Sequence, residues 1–264
     1  MTLTTHECIS AIERHSTGLG DAARHGLQAP VRHCPGWSVA DLVWHVTGVQ
    51  WFWATIADER LSGAPDDSRR PGRPADDALL DTFEAGVQHL AEVLRNADQS
   101  AGCWTWAPQQ QDVAFVTRHQ VQEAAVHHWD AADAIGGSAM IEPPVAADSV
   151  EEFLTFSVSS EADPAEPAKP GLTGSFVLRP TDTDTAWLVT DARTPGTVTF
   201  EPIRPPEPGG PGQPSAARTS ADGVGAIEAT ASDLLLWLYQ RVELDTSGVP
   251  TEVVHRFREL TFTD

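Results

Sequence analysis

Four stretches in the first half of the chain are predicted to form helices, and apolar residues recur every three or four positions in the second and third of them, as is typical of amphipathic helices. The stretches cover residues 6–25, a segment that opens at Ser38, residues 76–97 and residues 113–135. The apolar face of the third stretch is formed by Leu79, Leu80, Phe83, Val87, Leu90 and Leu94. Four helices separated by short breaks predict a four-helix bundle in residues 1–140.

The start of the second helix has a clear chemical signature. Ser38 is suited to be its N-cap, and Asp41, three residues later, is an acidic residue in the first turn, where it is favourable. His45 falls on the same side of this helix as Leu42 and Val49, so we predict that it points inward. An inward histidine needs a polar partner, because unpaired buried polar groups are costly.

The pattern changes after residue 140, where two prolines and several small residues mark a boundary. Short β-branched segments separated by turn residues predict strands at 174–179, 185–190, 196–200 and 225–230. Helices are predicted at 148–159, at 233–241 with Ser232 as N-cap, and at 251–260. Proline-rich stretches predict loops at 164–170 and 201–215. Residues 141–264 are therefore predicted to form a small α+β domain.

The composition excludes several classes of function but adds little to the prediction of the fold. The 264 residues include 38 acidic and 17 basic side chains, and the net charge of −21 argues against binding nucleic acid or an anionic membrane surface. Three cysteines are too few for a disulfide framework. The first residues lack the basic start and apolar run of a signal peptide, and no apolar stretch approaches the ~20 residues that span a bilayer. We therefore expect a cytoplasmic protein with reduced thiols.

The fourth predicted helix carries a carboxylate and an imidazole four residues apart, Glu123 and His127. Side chains at this spacing are neighbours on one helix face, so both can approach one divalent metal ion. His45 on the second helix is a candidate third ligand, since the helices of a bundle can offer ligands to a shared point. Two simpler interpretations are open from spacing alone: Glu123 and His127 can form a solvated pair, and His45 can be a core histidine.

Three segments resemble one family. They are CPGWSVADLVWHV at 34–46, the segment 118–130 with QEAAVHHWD at its end, and ASDLLLWLYQR at 231–241. Together they resemble the mycothiol-dependent maleylpyruvate isomerase family, which belongs to the wider group of DinB-like bundles. The resemblance covers nearly the whole chain and implies a DinB-like four-helix bundle followed by a sterol-carrier-like α+β domain. The chain departs from the family pattern at Gln122, where many relatives carry a histidine, and this difference bears on the substrate.

The resemblance implies a divalent metal, usually zinc, held by His45, Glu123 and His127. Three protein ligands leave a position for an exogenous ligand, which in the family is the thiol of mycothiol. A metal-bound thiol loses its proton, so the resemblance implies a thiolate that attacks a small electrophilic substrate. The outcome is either cis–trans isomerisation of a maleylpyruvate-type diacid or an S-transferase reaction that leaves the thiol joined to the product.

Arg241 is the candidate catalytic cation. It ends the leucine-rich helix at a position where some relatives place an arginine that faces the metal site, and arginine is the natural partner of a substrate carboxylate. The alternative is that Arg241 only complements the dipole at the C-terminus of its helix.

Two other function classes stay open. Bundles of this kind can bind a small molecule or a thiol adduct without catalysis. A metal-dependent hydrolase would use a metal-bound water, although Glu123 is already a ligand and the helix offers no second carboxylate near it as a base. His119 is interpreted as a surface residue, with an extra ligand or a proton shuttle as alternatives; His128 and Asp130 are interpreted as supports of the metal site or as plain helix surface. The sequence leaves the substrate, the choice of divalent metal and the oligomeric state open.

Overall fold

The computed structural model describes residues 2–158, 170–194, 196–203 and 223–262. They form two compact units, of which the first is Thr2–Ile141 and the second begins at Glu142. The first unit is helical and the second combines helices with a sheet, which confirms the predicted fold class. The predicted loops at 164–170 and 201–215 lie almost entirely outside the described residues.

The first unit contains the four predicted helices, at α1 (Thr5–Gly26), α2 (Val39–Glu59), α3 (Asp76–Asn96) and α4 (Val113–Ala134). A short 3₁₀ turn, Asp67–Arg69, interrupts the loop between α2 and α3. Helix α1 packs most extensively against α4, and α2 packs against α3. One group of buried apolar side chains joins α1, α2 and α3, and includes Leu19, Val39, Leu42, Val43, Val46, Leu79 and Phe83.

A capping box begins α2, which confirms Ser38 as the predicted N-cap. The Ser38 hydroxyl accepts a hydrogen bond from the Asp41 backbone N–H at 3.3 Å, and Asp41 Oδ2 accepts from the Ser38 backbone N–H at 2.9 Å. Two N–H groups that lack partners within the helix are thereby satisfied. Arg73 also donates to Asp41. Together these donors lower the pKa of Asp41 to about 2, with the Ser38 bonds as the largest cause.

Gly18 allows the close approach of α1 and α4. A Cβ at this position would lie 2.9 Å from His128 Cδ2 and closer still to Nε2 and Cε1 of the same ring. The ring of His128 therefore occupies the space that any larger residue on α1 would fill. Glycine in a helix interior costs up to about 1 kcal/mol relative to alanine, and here it permits the packing of one helix against the other.

The described residues of the second unit form seven further elements: α5 (Pro143–Phe156), β1 (Ser175–Pro180), β2 (Ala186–Asp191), β3 (Val198–Ile203), β4 (Ala226–Ala229), α6 (Ala231–Leu238) and α7 (Thr251–Leu260). The strands form one mixed sheet in the order β3-β2-β1-β4, in which only β1 and β4 run parallel. Strand β3 lies at an edge, where Pro202 is tolerated because an edge strand need not donate every backbone N–H. Aromatic side chains from β1 and from two helices, Phe176, Trp237 and Phe257, contact one another in the core of the unit.

The structure corrects two helix boundaries in this unit. Helix α5 begins at Pro143, five residues before the predicted start, because proline is well suited to the first helical turn. Helix α6 is capped by Thr230 and not by Ser232: the Thr230 hydroxyl accepts from the Asp233 backbone N–H at 3.1 Å. Asp182 Oδ1 accepts from the Ala231 backbone N–H at 2.8 Å, so a distant residue helps to fix where α6 starts. None of the described helices is both long enough and apolar enough to cross a membrane.

Candidate metal centre

Three side chains from two helices come together in the first unit. His45 on α2 and Glu123 and His127 on α4 each offer one ligand atom, and these atoms all lie within 4.8 Å of one another. Within the described ranges, this is the one set of histidine, cysteine or acidic side chains with the spacing of a metal site. The structure thus brings together the three residues that the sequence singled out, and we call them the candidate metal centre. Metal binding itself stays a prediction.

A buried aspartate orients His127. The side chain of Asp130 is 0% exposed, and its Oδ2 lies 3.1 Å from His127 Nδ1. An ionised carboxylate can only accept, so His127 donates its Nδ1–H to Asp130 and keeps a lone pair on Nε2. That Nε2 lies 3.6 Å from Glu123 Oε2, on the side of the candidate metal centre. An imidazole held between an outer carboxylate and a ligand position is the arrangement of most metal-binding histidines.

His45 is half-buried between two rings. The centroid of its imidazole lies 5.0 Å from the ring of Trp37 and 5.2 Å from that of His127, the latter at an interplanar angle of 83°. Trp37 immediately precedes the N-cap of α2, so the segment that begins this helix also restricts the ring of His45. This contact of Trp37 could not be predicted from the sequence, because a ring contact between a loop and a helix depends on the loop conformation.

The donor set fits a divalent cation. Two imidazoles and one carboxylate are the protein ligands of several catalytic zinc sites, and they leave one coordination position for an exogenous ligand. The side chains of His127 and Glu123 are both only 10% exposed, so these two candidate ligands are largely shielded from water. Imidazole also suits other first-row metals, so the ligands identify the class of ion and not the element.

His119 has a different environment, and the prediction that it lies on the surface is wrong. Its side chain is buried, and its ring centroid lies 5.3 to 5.6 Å from the rings of three aromatic residues, Phe115, Trp106 and Trp53. Gln122 Nε2 lies 3.0 Å from His119 Nδ1, with the amide donating to the ring. His119 is not part of the candidate metal centre. Trp106 belongs to the loop before α4 and Trp53 to α2, so the position of His119 on α4 does not by itself predict these apolar surroundings.

The two residues that follow the centre on α4 have separate partners. Asp130 contacts His127, as described above, which makes it a support of the candidate metal centre. Asp130 is also a second carboxylate on the face of α4 that carries Glu123, so the prediction that this face offers none is wrong. His128 faces α1, and its Nδ1 lies 3.2 Å from His15 Nδ1.

Arg241 lies outside α6, which ends at Leu238, so its predicted place at the helix end is wrong. Its Nη1 donates to the Tyr239 carbonyl at 2.7 Å, and the guanidinium lies 6.0 Å from the centroid of the Tyr239 ring. These contacts stabilise the turn after the helix. A catalytic role for Arg241 stays a prediction, because its contacts described here are all within the second unit.

The first unit matches a known family. Residues 7–132 match the family model of the mycothiol maleylpyruvate isomerase N-terminal domain. The match includes all three residues of the candidate metal centre and Asp130. It also includes the first two of the three segments that carry the resemblance, so the predicted family is confirmed for the first unit.

Solved structures resemble the chain over most of its length. The crystal structure of a mycothiol-dependent maleylpyruvate isomerase covers 96% of this chain and 98% of its own, at 13% sequence identity and a TM-score of 0.56. A structure of a histidine-to-alanine mutant of a mycothiol-dependent maleylpyruvate isomerase covers 90% of each chain, at 12% identity and a TM-score of 0.49. At such low identity the first of these establishes a shared fold. No curated protein matches the sequence significantly.

Proposed function

The chain belongs, through its N-terminal unit, to the mycothiol maleylpyruvate isomerase domain family, and from that premise we propose that it is a metal- and mycothiol-dependent isomerase of maleylpyruvate-type diacids. The observation that carries the proposal is the convergence of His45, Glu123 and His127, with ligand atoms within 4.8 Å of one another. We place the reaction in the cytoplasm, where small thiols stay reduced.

Each residue of the site has a separate task in this proposal. His45, Glu123 and His127 hold a divalent metal, and Asp130 keeps the Nδ1–H of His127 in place so that Nε2 faces the ion. Trp37 packs against His45 and limits the orientations of its ring. When bound, the metal and mycothiol together supply a thiol that is ionised at neutral pH, whose reversible addition to the cis double bond of the substrate permits rotation to the trans isomer.

An external thiol suits this site better than a thiol of the chain. The candidate metal centre contains no cysteine. Burial raises the pKa of the Cys103 thiol to about 11, so this residue stays protonated at neutral pH. A protonated, buried thiol is a poor nucleophile. The nucleophile that we propose therefore comes with the cofactor.

A hydrolytic reaction fits the site less well. Hydrolysis would need a general base for a metal-bound water. Glu123 is assigned as a ligand, and Asp130 accepts a hydrogen bond from the Nδ1–H of His127. Neither carboxylate is therefore available as a base while Glu123 holds the metal and Asp130 holds His127.

The test is an assay of zinc-loaded protein with maleylpyruvate and purified mycothiol, in which both isomers are quantified by chromatography. We expect the trans isomer to accumulate only when zinc and mycothiol are both present, with mycothiol recovered unchanged. Consumption of mycothiol in a stable adduct would identify an S-transferase. Turnover without any thiol would favour a hydrolase, and no reaction with an intact metal site would favour a binding protein.

Cobalt provides a test that does not require turnover. Thiolate coordination to cobalt adds a charge-transfer band in the near ultraviolet, and water coordination does not. Mycothiol added to the cobalt-substituted protein should produce this band, whereas a mycothiol analogue without sulfur should not. If saturating mycothiol leaves the spectrum unchanged while cobalt is bound, the proposed role of the thiol is wrong.

A further inference from the structure

Arg69, Arg70 and Arg73 lie close together in the loop between α2 and α3, and Arg70 differs from the other two in its partners. Arg69 forms two hydrogen bonds with Glu59. Arg73 donates to Asp41 and so joins the capping box of α2. Arg70 has no carboxylate within ion-pair distance among the described residues.

Arg70 nevertheless has a defined position, because its guanidinium lies against the backbone of α2 at Gly48. A Cβ added to Gly48 would lie 2.9 Å from Arg70 Cζ, 3.1 Å from its Nε and closer still to its Nη2. These three atoms of Arg70 are the nearest neighbours of that empty space. The missing side chain of Gly48 therefore provides the room in which the guanidinium lies.

This position is next to the candidate metal centre. Gly48 follows His45 by three residues on α2, and Asp41 precedes His45 by four. Residues at these spacings are neighbours on one helix face, with Cβ atoms about 5–6 Å apart. The loop thus places one guanidinium on each side of His45 along the helix. The charge of Arg73 is neutralised by Asp41, and the charge of Arg70 is available.

We propose that Arg70 binds a carboxylate of the substrate beside the candidate metal centre. This inference rests on the proposed function, which requires a substrate with two carboxylates. A guanidinium presents a planar set of N–H donors that matches a carboxylate in a bidentate pair. Arg70 is thus a specificity-determining residue: it selects a dianionic substrate and orients its double bond relative to the metal-bound thiol.

The first test replaces Arg70. Arg70→Gln removes the charge and the fork of donors, and we expect the KM for maleylpyruvate to rise about tenfold while kcat changes less than twofold. Bound zinc should be unchanged, because Arg70 is not a ligand. Arg69→Gln is the matched control, since it removes a neighbouring arginine that pairs with Glu59, and its KM should stay within twofold of the wild type.

The second test moves Arg70 without changing it. In Gly48→Ala the new Cβ would displace the guanidinium, which is the end of a flexible side chain and can move without unfolding α2. Alanine favours a helix over glycine, so the unfolding midpoint should not fall. We expect the KM to rise as in Arg70→Gln. The double variant should be little worse than either single variant, because both remove the same contact.

A binding measurement separates failure of this inference from failure of the proposed function. Maleate, a cis dicarboxylate, is titrated calorimetrically into the zinc-loaded wild type, Arg70→Gln and Arg69→Gln. Binding that weakens about tenfold in Arg70→Gln alone supports the carboxylate site even if the wild type shows no isomerase activity. Equal binding of maleate to all three proteins, or an unchanged KM in Arg70→Gln, would overturn the assignment of Arg70.

Discussion

Helix α4 carries two buried histidines two turns apart, and their surroundings differ in kind. His127 lies between two carboxylates, with Asp130 Oδ2 at 3.1 Å from Nδ1 and Glu123 Oε2 at 3.6 Å from Nε2. His119 lies among aromatic rings, the closest of them stacked at 5.3 Å, and an amide contacts its Nδ1. The same residue type on the same helix thus meets a polar environment suited to a cation at one position and an apolar environment at the other.

The difference shows what makes a buried histidine a candidate ligand. Burial alone does not distinguish the two residues, because both are nearly inaccessible. The carboxylate behind His127 fixes which ring nitrogen carries the proton, and the carboxylate in front of it adds negative charge at the place where a metal would lie. His119 has neither feature among its contacts described here. Variants of His127 and His119 therefore form a matched pair for testing the candidate metal centre.

The largest expected effect is on metal affinity. His127→Ala removes one of three ligands, and we expect zinc affinity to fall by more than about a hundredfold, beyond the effect of losing an outer partner. His119→Ala should retain zinc within about threefold, since His119 is not one of the three candidate ligands and its described contacts are with aromatic rings and Gln122. Competition with a chromophoric chelator measures both. Comparable losses in the two variants would mean that the contrast between the histidines has no bearing on metal binding.

The second prediction concerns metal removal. A ligand that binds only the folded state stabilises it by about 2.7 kcal/mol at a free concentration a hundred times its Kd. Chelation of zinc should therefore lower the free energy of unfolding of the first unit by about that amount in the wild type and in His119→Ala. In His127→Ala, the chelator should have little effect. Calorimetry follows the transitions, and an equal shift of every transition in the wild type would argue against a site confined to the first unit.

The third prediction tests the carboxylate behind His127. Asp130→Asn keeps the shape of the side chain but weakens its hold on the Nδ1–H, so zinc affinity should fall about 10–100-fold. Asp133→Asn is the control, because Asp133 lies on the same helix and pairs with Arg32 at 3.5 Å. If Asp130→Asn and the wild type bind zinc with the same affinity, Asp130 contributes to helix packing and not to metal binding.

The fourth prediction separates support of the fold from support of the site. Ser38→Ala removes the hydroxyl that caps α2, and we expect the free energy of unfolding to fall by about 1 kcal/mol. Zinc affinity of the folded variant should change little, because His45 lies two turns further along the helix. Urea denaturation measures the first quantity and chelator competition the second. A loss of zinc affinity as large as that of Asp130→Asn would show that the cap positions His45 directly.

The smallest expected effect is a dependence on acid pH. The pKa of Asp41 is lowered from 3.8 to about 2 in the folded protein, so its ionised form stabilises the fold above pH 4, and this contribution is lost as the pH falls towards 2. The side chain is 37% exposed, so the gain is small. Urea titrations should show Asp41→Asn less stable than the wild type at pH 6 and closer to it at pH 3. A difference that grows towards pH 3 would contradict this sign.

Much of the fold was predictable from local patterns in the sequence. The Ser38 cap and the apolar periodicity identified helices α1 to α4 to within a few residues, because caps and helical periodicity depend on neighbours in the chain. Boundaries were less accurate where distant residues take part. Thr230 and Asp182 set the start of α6 two residues before the predicted one, and α6 ends at Leu238, so Arg241 lies beyond the helix that was expected to contain it.

The sequence by itself determined the residue types of the candidate metal centre and the closeness of Glu123 to His127, because a helix fixes the distance between residues four apart. Only the tertiary structure decided that His45 reaches the same point, since this depends on how α2 packs beside α4. The tertiary structure also decided the environments of His119 and Arg70, which lie among aromatic rings and against Gly48. Contacts between segments far apart in the chain arise from packing, and the spacing of residues along one helix does not predict them.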